Sequence, residues 1–275
     1  MEALKVVKTF VRSGDSFRLV KCYGDRDVVG PTTRRVLVLD SSFNPPHRGH
    51  LAMIKQGVLS LSTHDGITTI NTNAVLLLLS VKNADKDSVS VDEYAQRLHM
   101  VGLMAEHVCA GLGLSCGVAL TDASLFVDKS RLVADWTGRS SGVDNFFLLG
   151  FDTLIRFFDP RYYREPLVEA VDPFFRHSKL CVLLRDDKSS RMDLADQKKY
   201  MQDLQNGEID DKDNNRTALP ASWRGKVFFC EAKHEWAISS SAIRTAVREQ
   251  DPVRWQGKVI PTVRAYINGA SLYRE

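Results

Sequence analysis

The stretch V-L-V-L-D-S-S-F-N-P-P-H-R-G-H-L-A-M-I, residues 36–54, decides how the rest of the chain is read. Its first four residues are an unbroken aliphatic run of the kind found in a strand buried on both faces of a parallel sheet. Pro45 and Pro46 fix φ and bar the strand from continuing, so residues 41–46 must turn the chain. A helix then begins around residues 48–51, and its free N–H groups and positive dipole end form a ready anion site. His47 and His50, three apart, can share one side of that helix start. A single imidazole there reads as a cap or a core residue. Two of them, at a helix N-terminus directly after a strand, read as a phosphate-handling arrangement.

Working outward, similar apolar runs recur at residues 74–81, 145–150, 179–184 and, more weakly, 226–230. Helical patterns lie between and after them, at residues 50–61, 91–109, 152–158, from about 240, and at 262–269. In the second of these, Tyr94, Leu98, Val101, Met104 and Val108 mark one apolar face. Strands alternating with helices predict a three-layer α/β fold around a parallel sheet. Ligands of such sheets gather at the carboxyl ends of the strands near a topological switch point, which is where the opening stretch lies. Residues 1–34 read as an N-terminal extension able to add a helix and an edge strand. Residues 186–217, rich in Asp, Lys, Asn and Gln, read as a charged surface insertion with a short helix around 194–204. A single domain spanning 1–275 is the expected organisation. G-L-G-L-S-C-G at 111–117 reads as a loop, since it lacks P-loop spacing. K-H-E-W-A at 233–237 reads as the end of the preceding strand.

The 275 residues are 44% hydrophobic and 26% charged, ordinary proportions for a globular protein with a sizeable core. With 37 basic against 34 acidic residues the net charge is only +3, so no broad basic field points to nucleic acid or an anionic membrane as partner. Five scattered cysteines without C-x-x-C spacing predict neither a metal cage nor a disulfide framework, and read as thiols in a reducing compartment. No secretory pattern opens the chain, and its longest apolar run falls far short of the ~20 residues a spanning helix requires.

A second stretch, A-I-S-S-S-A-I-R at 237–244, has the composition of a helix cap: Ser239 or Ser240 can start a helix whose N–H groups face a phosphate. Arg244 follows one turn later as a fixed positive fork. Together, S-S-F-N-P-P-H-R-G-H and I-S-S-S-A-I-R resemble the two signatures of the nucleotidylyltransferase superfamily, and S-F-N-P narrows the likeness to nicotinamide mononucleotide adenylyltransferases, particularly a divergent fungal branch. L-L-G-F-D at 148–152, the segment V-K-N-A-D-K to Y-A-Q-R-L-H-M, and V-I-P-T-V-R-A-Y-I at 259–267 are similar to further family segments, in the family's order.

The resemblance implies a Rossmann-like nucleotidylyltransferase fold and transfer of adenylyl from ATP, with Mg²⁺, to nicotinamide or nicotinate mononucleotide, releasing pyrophosphate. The implied catalytic residues are His50, His47 and Arg244. ATP would be bound by Ser42, Phe43, Asn44, His47, His50, Gly150, Asp152, Ser239, Ser240 and Arg244. Substrate contacts fall on Lys86, Arg97 and Ser124, and no metal ligand is implied on the protein. Ser124 stands where the family carries a ring-stacking tryptophan; Phe174 or Phe175 is the candidate second aromatic, and Trp136 or Trp223 a replacement. Two alternatives stay open: an ATP-binding regulatory or quality-control protein with an altered acceptor pocket, and a related transferase with another phosphate acceptor. A cytoplasmic or nuclear location, no nucleic-acid or membrane partner, and room for a homo-oligomer complete the expectations.

Overall fold

The computed structural model describes residues 2–24, 27–65, 72–81, 89–138, 142–185, 192–210, 216–231 and 238–274. In chain order the principal elements are α1 (Glu2–Ser13), β1 (Phe17–Tyr23), β2 (Arg35–Asp40), α2 (Arg48–Asp65), β3 (Asn73–Ser80), α3 (Val91–Leu112) and β4 (Ser115–Thr121). Then come α4 (Phe126–Thr137), β5 (Asp144–Gly150), α5 (Phe151–Phe157), α6 (Leu167–His177), β6 (Lys179–Leu184) and α7 (Leu194–Asn206). The chain ends with the short strands β7 (Glu208–Asp210) and β8 (Arg216–Ala218), then β9 (Val227–Glu231), α8 (Ser240–Arg248), α9 (Pro252–Trp255) and α10 (Pro261–Gly269).

Seven strands form the central sheet in the order β1-β4-β3-β2-β5-β6-β9. From β4 through β9 neighbours pair in parallel, and β1 closes the β4 edge antiparallel to it. The chain runs outward from β2 through β3 to β4, then returns to the other side of β2 as β5. The switch point therefore lies between the carboxyl ends of β2 and β5, where ligands of open α/β sheets bind.

Both faces of the sheet are covered, so alternate residues of one strand enter two different cores. Leu37 and Leu39 of β2 join one apolar cluster with Ile54 of α2 and Met104 of α3. Val36 and Val38 join the other, with Leu154 of α5 and Phe174 of α6. This is why β2 and β3 read as continuous apolar runs. Gly57 brings α2 hard against the sheet: a Cβ there would lie 2.9 Å from a Leu148 methyl and 3.1 Å from a Leu37 methyl.

The N-terminal segment supplies α1, packed on α3, and β1 as the edge strand. Within 186–217 the helix is α7, which docks on β6 and β9, followed by the β7–β8 hairpin. The loop expected at 111–117 is a correction. Here α3 runs to Leu112, Gly113 caps it at φ +65°, and β4 begins at Ser115. S-C-G-V-A-L-T is a weak strand sequence, and it is held because Gly117 lets Leu19, Val28 and Leu76 approach closely. Two helices, α4 and α6, carry no side-chain N-cap, and α6 contains Pro173, so neither announces itself in sequence. The segment 233–237 lies outside the described residues.

Candidate active site

The turn after β2 is tightly specified. Phe43 adopts φ +43°, a conformation that L-residues avoid, with its ring fully buried 5.1 Å from that of His50. Ser41, by contrast, is not among the residues with positive φ. His47 and His50 stack with ring centroids 3.8 Å apart, so the two imidazoles share one space as their spacing predicts.

Their hydrogen bonds define a chemical state. The backbone N–H of His47 donates to Nδ1 of His50 at 3.0 Å, which leaves Nε2 to carry the ring proton; that Nε2 lies 3.1 Å from Ser41 Oγ. Burial pushes the His50 pKa down to about 3. His47 is also held well below the ordinary imidazole value, by burial first and then by His50 and Arg185. At neutral pH the pair is therefore an uncharged donor system, not a cationic clamp. Nδ1 of His47 is buried without a partner and belongs to a cavity-lining residue, the kind of orphan atom a ligand satisfies.

The two distant motifs meet here. Ser239 caps α8 by accepting from the Ala242 N–H at 3.5 Å, while the Ser240 hydroxyl donates to the Pro45 carbonyl at 2.9 Å. Arg244 donates from Nη1 to the Asn44 carbonyl at 2.7 Å and from Nη2 to Ser241 Oγ at 3.2 Å. Tyr273, at the far end of the chain, donates to Asn44 Oδ1 at 2.7 Å. The N-termini of α2 and α8 are thus tied to one turn, with the Arg244 charge beside it.

Two cavities open at this junction and share Asp40, Ser41, Thr153 and Arg156. The first, about 220 Å³, is lined by His47, His50, Gly150, Asp152 and Arg185. Asp152 is ion-paired with Arg185 at 2.6 Å. Gln197 of α7, wholly buried, accepts from the Arg185 backbone N–H and donates to its carbonyl, so α7 fixes the end of β6. Arg185 and Gln197 escaped the sequence reading because no local pattern joins a strand end to a polar helix.

The second cavity, about 290 Å³, contains Ser42, Arg97 and Ser124. It is not short of aromatics: Tyr94, Phe126, Phe157, Tyr162 and Tyr163 surround it. The Tyr163 hydroxyl donates to the Phe157 carbonyl at 2.7 Å, which fixes its ring. Phe126 sits two residues past Ser124 and packs edge-on to Phe147 and Phe157. The aromatics expected elsewhere are differently employed. Phe174 and Phe175 are core residues, Trp223 is buried on Asp172, and Trp136 packs on Phe17, all away from this cavity. Arg97 is almost wholly buried with the Tyr94 ring 5.2 Å away, and its Nε is without a partner. Lys86 lies outside the described residues. Lys129 of α4, which no motif marks, reaches Asp40 at 2.7 Å.

Among the described residues no three His, Cys, Asp or Glu side chains gather as a metal cage, and no helix is long and apolar enough to cross a membrane. No two of the five cysteines form a disulfide.

No protein-family model matches the chain. A Schizosaccharomyces pombe protein named "Putative nicotinamide mononucleotide adenylyltransferase" is 32% identical over 231 residues, covering 82% of this chain and 80% of its own. Two solved structures of Plasmodium falciparum nicotinic acid mononucleotide adenylyltransferase share the fold. The complex with NaAD superposes with a TM-score of 0.53 at 12% identity, and the complex with APC with 0.50 at 13%. Each covers 87% of this chain and 97% of its own.

Proposed function

This chain belongs to the nicotinamide mononucleotide adenylyltransferase family, and from that membership we propose how it transfers an adenylyl group from ATP to a pyridine mononucleotide. The observation that carries the assignment to these residues is the junction itself: Ser240 and Arg244 bonded to Pro45 and Asn44, beside the neutral His47–His50 stack.

An oxygen of the acceptor phosphate attacks the α-phosphorus of ATP, and the bond from that phosphorus to the bridging oxygen of pyrophosphate breaks. The acceptor phosphate is ionised at neutral pH, so the protein need supply no nucleophile. Its contribution is positioning and stabilisation of charge on the transferring and leaving phosphates. His50 offers a preorganised Nε2–H, which exchanges Ser41 for a phosphate oxygen without proton transfer. The N–H groups opening α2 and α8 face the same region, and Arg244 adds charge. The cavity holding Gly150 and Asp152 takes the adenosine side. The aromatic cavity takes the pyridine ring, with Phe126 and Tyr163 in place of the missing tryptophan and Arg97 toward the acceptor phosphate.

Asp40 and Asp152 are the carboxylates lining the two cavities, engaged by Lys129 and Arg185 respectively. That donor set suits Mg²⁺ arriving on the phosphates of ATP, which needs one or two protein carboxylates at most, better than it suits a resident ion. A cytoplasmic or nuclear site of action goes with this reading and with five cysteines outside any disulfide.

The test is direct: purified protein with ATP, Mg²⁺ and nicotinamide mononucleotide should form dinucleotide and pyrophosphate, and His50→Ala should not. ATP binding without dinucleotide, under conditions where a relative turns over, would overturn the reading.

A further inference from the structure

The segment after α10 reaches back to the turn that follows β2. Leu272 is buried in the same apolar cluster as Met104 of α3 and Ile267 of α10, and its backbone N–H donates to the Ile267 carbonyl at 3.0 Å. Beside it Tyr273, which no motif of the sequence includes, stands at φ +63°, a conformation that a bulky L-residue avoids. This backbone delivers one polar contact, the bond from the Tyr273 hydroxyl to Asn44 Oδ1 at 2.7 Å. Burial raises the pKa of that hydroxyl above the ordinary tyrosine value, so it keeps its proton and stays a donor at neutral pH.

Both oxygens of Asn44 are engaged. Its carbonyl receives Arg244 Nη1 at 2.7 Å, and its Oδ1 receives Tyr273. Its neighbours are fixed as well: Phe43 packs on the His50 ring, and the Pro45 carbonyl accepts from Ser240. With the amide oxygen committed, the group left to bind is Nδ2, which forms no hydrogen bond among the described residues. A held amide N–H beside Arg244 and the N-termini of α2 and α8 is a donor suited to an anion.

Resting on the adenylyl-transfer reading above, we infer that Tyr273 is a positioning residue for that reaction: its hydroxyl holds the Asn44 amide so that Nδ2 donates to the leaving phosphates of ATP. Tyr273 itself touches no substrate. It removes the rotational freedom of the amide, so the donor needs no reorganisation as charge develops on the leaving group. Without the hydroxyl the same N–H is present but no longer aimed.

The experiment is a double-mutant cycle on kcat and on KM for ATP, with nicotinamide mononucleotide saturating and melting temperature read in parallel. Asn44→Ala keeps the carbonyl that binds Arg244 and removes the donor, so kcat should fall by about 10²-fold. Tyr273→Phe should lower kcat by roughly tenfold, part of the cost of losing the donor outright. Its KM for ATP should change by less than about threefold, because the interaction is made mainly in the transition state. The double variant should be no slower than Asn44→Ala, since without the amide the hydroxyl has nothing to position. Where Tyr273→Phe does not fold, Asn44→Asp takes its place: it still accepts from Tyr273, offers no N–H, and should be at least as slow as Asn44→Ala. A folded Tyr273→Phe with wild-type kcat and only a lowered melting temperature would show a purely structural tie and overturn the inference. Losses that multiply in the double variant, or an Asn44→Asp as fast as wild type, would overturn it too. Absence of dinucleotide from wild type, with ATP bound, would overturn the adenylyl-transfer reading and the inference with it.

Discussion

The two cavities at the junction are built by different means. On the proposed reading, the nucleotide side joins the cavity of His47, His50, Gly150 and Asp152 to the turn and the two helix N-termini beside it, with His50 bonded to the backbone of His47 and Arg244 to that of Asn44; Ser239, Ser240 and Arg244 do not line that cavity. The aromatic cavity, the acceptor side on the same reading, is made from side chains delivered by β2, β3, α3, α4, α5 and the segment after α5, and no short motif unites them. Backbone geometry tolerates little substitution, because every N–H must point where charge develops. A cavity of side chains can exchange one ring for another, which is the role proposed for Phe126 and Tyr163 around Ser124. Losses should therefore be large and hard to rescue on the first side, and graded on the second.

The sharpest way to break this contrast is His50→Ala. Removing one preorganised donor of this kind costs about 10²–10³-fold in kcat, so dinucleotide formation should nearly vanish while the melting transition persists. A loss below tenfold would mean that the histidine is structural. Arg244→Ala comes next. Loss of charged hydrogen bonds worth about 1.5–3 kcal/mol corresponds to a fall of roughly 10–10²-fold in kcat/KM for ATP. Arg244→Lys should not restore it, because an ammonium cannot hold Asn44 and Ser241 with one planar fork. Full rescue by lysine would show that only charge matters there.

The histidine stack also makes a pH prediction. Both imidazoles have folded pKa values below that of the unfolded chain, about 3 for His50, so the unfolded state binds more protons as the medium is acidified. Stability is fully present above the unfolded value of about 6.5 and is lost as pH falls toward the folded values, at up to ~1.4 kcal/mol per pH unit for each histidine. Denaturant titrations at pH 6 and pH 5 should show this slope. It should shrink in a variant carrying Gln at 47 and 50, and an unchanged slope would place the charge uptake elsewhere. The smallest effect is expected from Phe126→Ala, where loss of ring stacking worth about 0.5–1.5 kcal/mol should raise KM for the mononucleotide up to about tenfold. The KM for ATP should stay put; a rise in both would merge the two cavities into one functional unit.

How much of this was legible in the sequence follows the same division. The strands β2, β3, β5, β6 and β9, the helix read at 91–109 and the helix starts near 48 and 240 could be read because each is encoded by neighbours: aliphatic runs, a 3.6-residue stripe, prolines and serines at fixed offsets. The helices α4 and α6 and the strand β4 could not, since a missing cap, an internal proline and a glycine-containing strand are all overridden by packing. Neutrality of the histidines was equally invisible, because it depends on burial and on one backbone hydrogen bond.

The sequence by itself determined the α/β class and the family to which both motifs point, because those features are local and repeat in short windows. Only the tertiary structure decided that residues some 200 positions apart grip the same turn, that the polar helix α7 fixes Arg185, and that Lys129 and Asp40 meet on the wall of an aromatic cavity. Such contacts carry no sequence periodicity: they exist because the sheet order β4-β3-β2-β5-β6 brings separate strand ends to one edge, and their chemistry comes from the burial that this arrangement imposes.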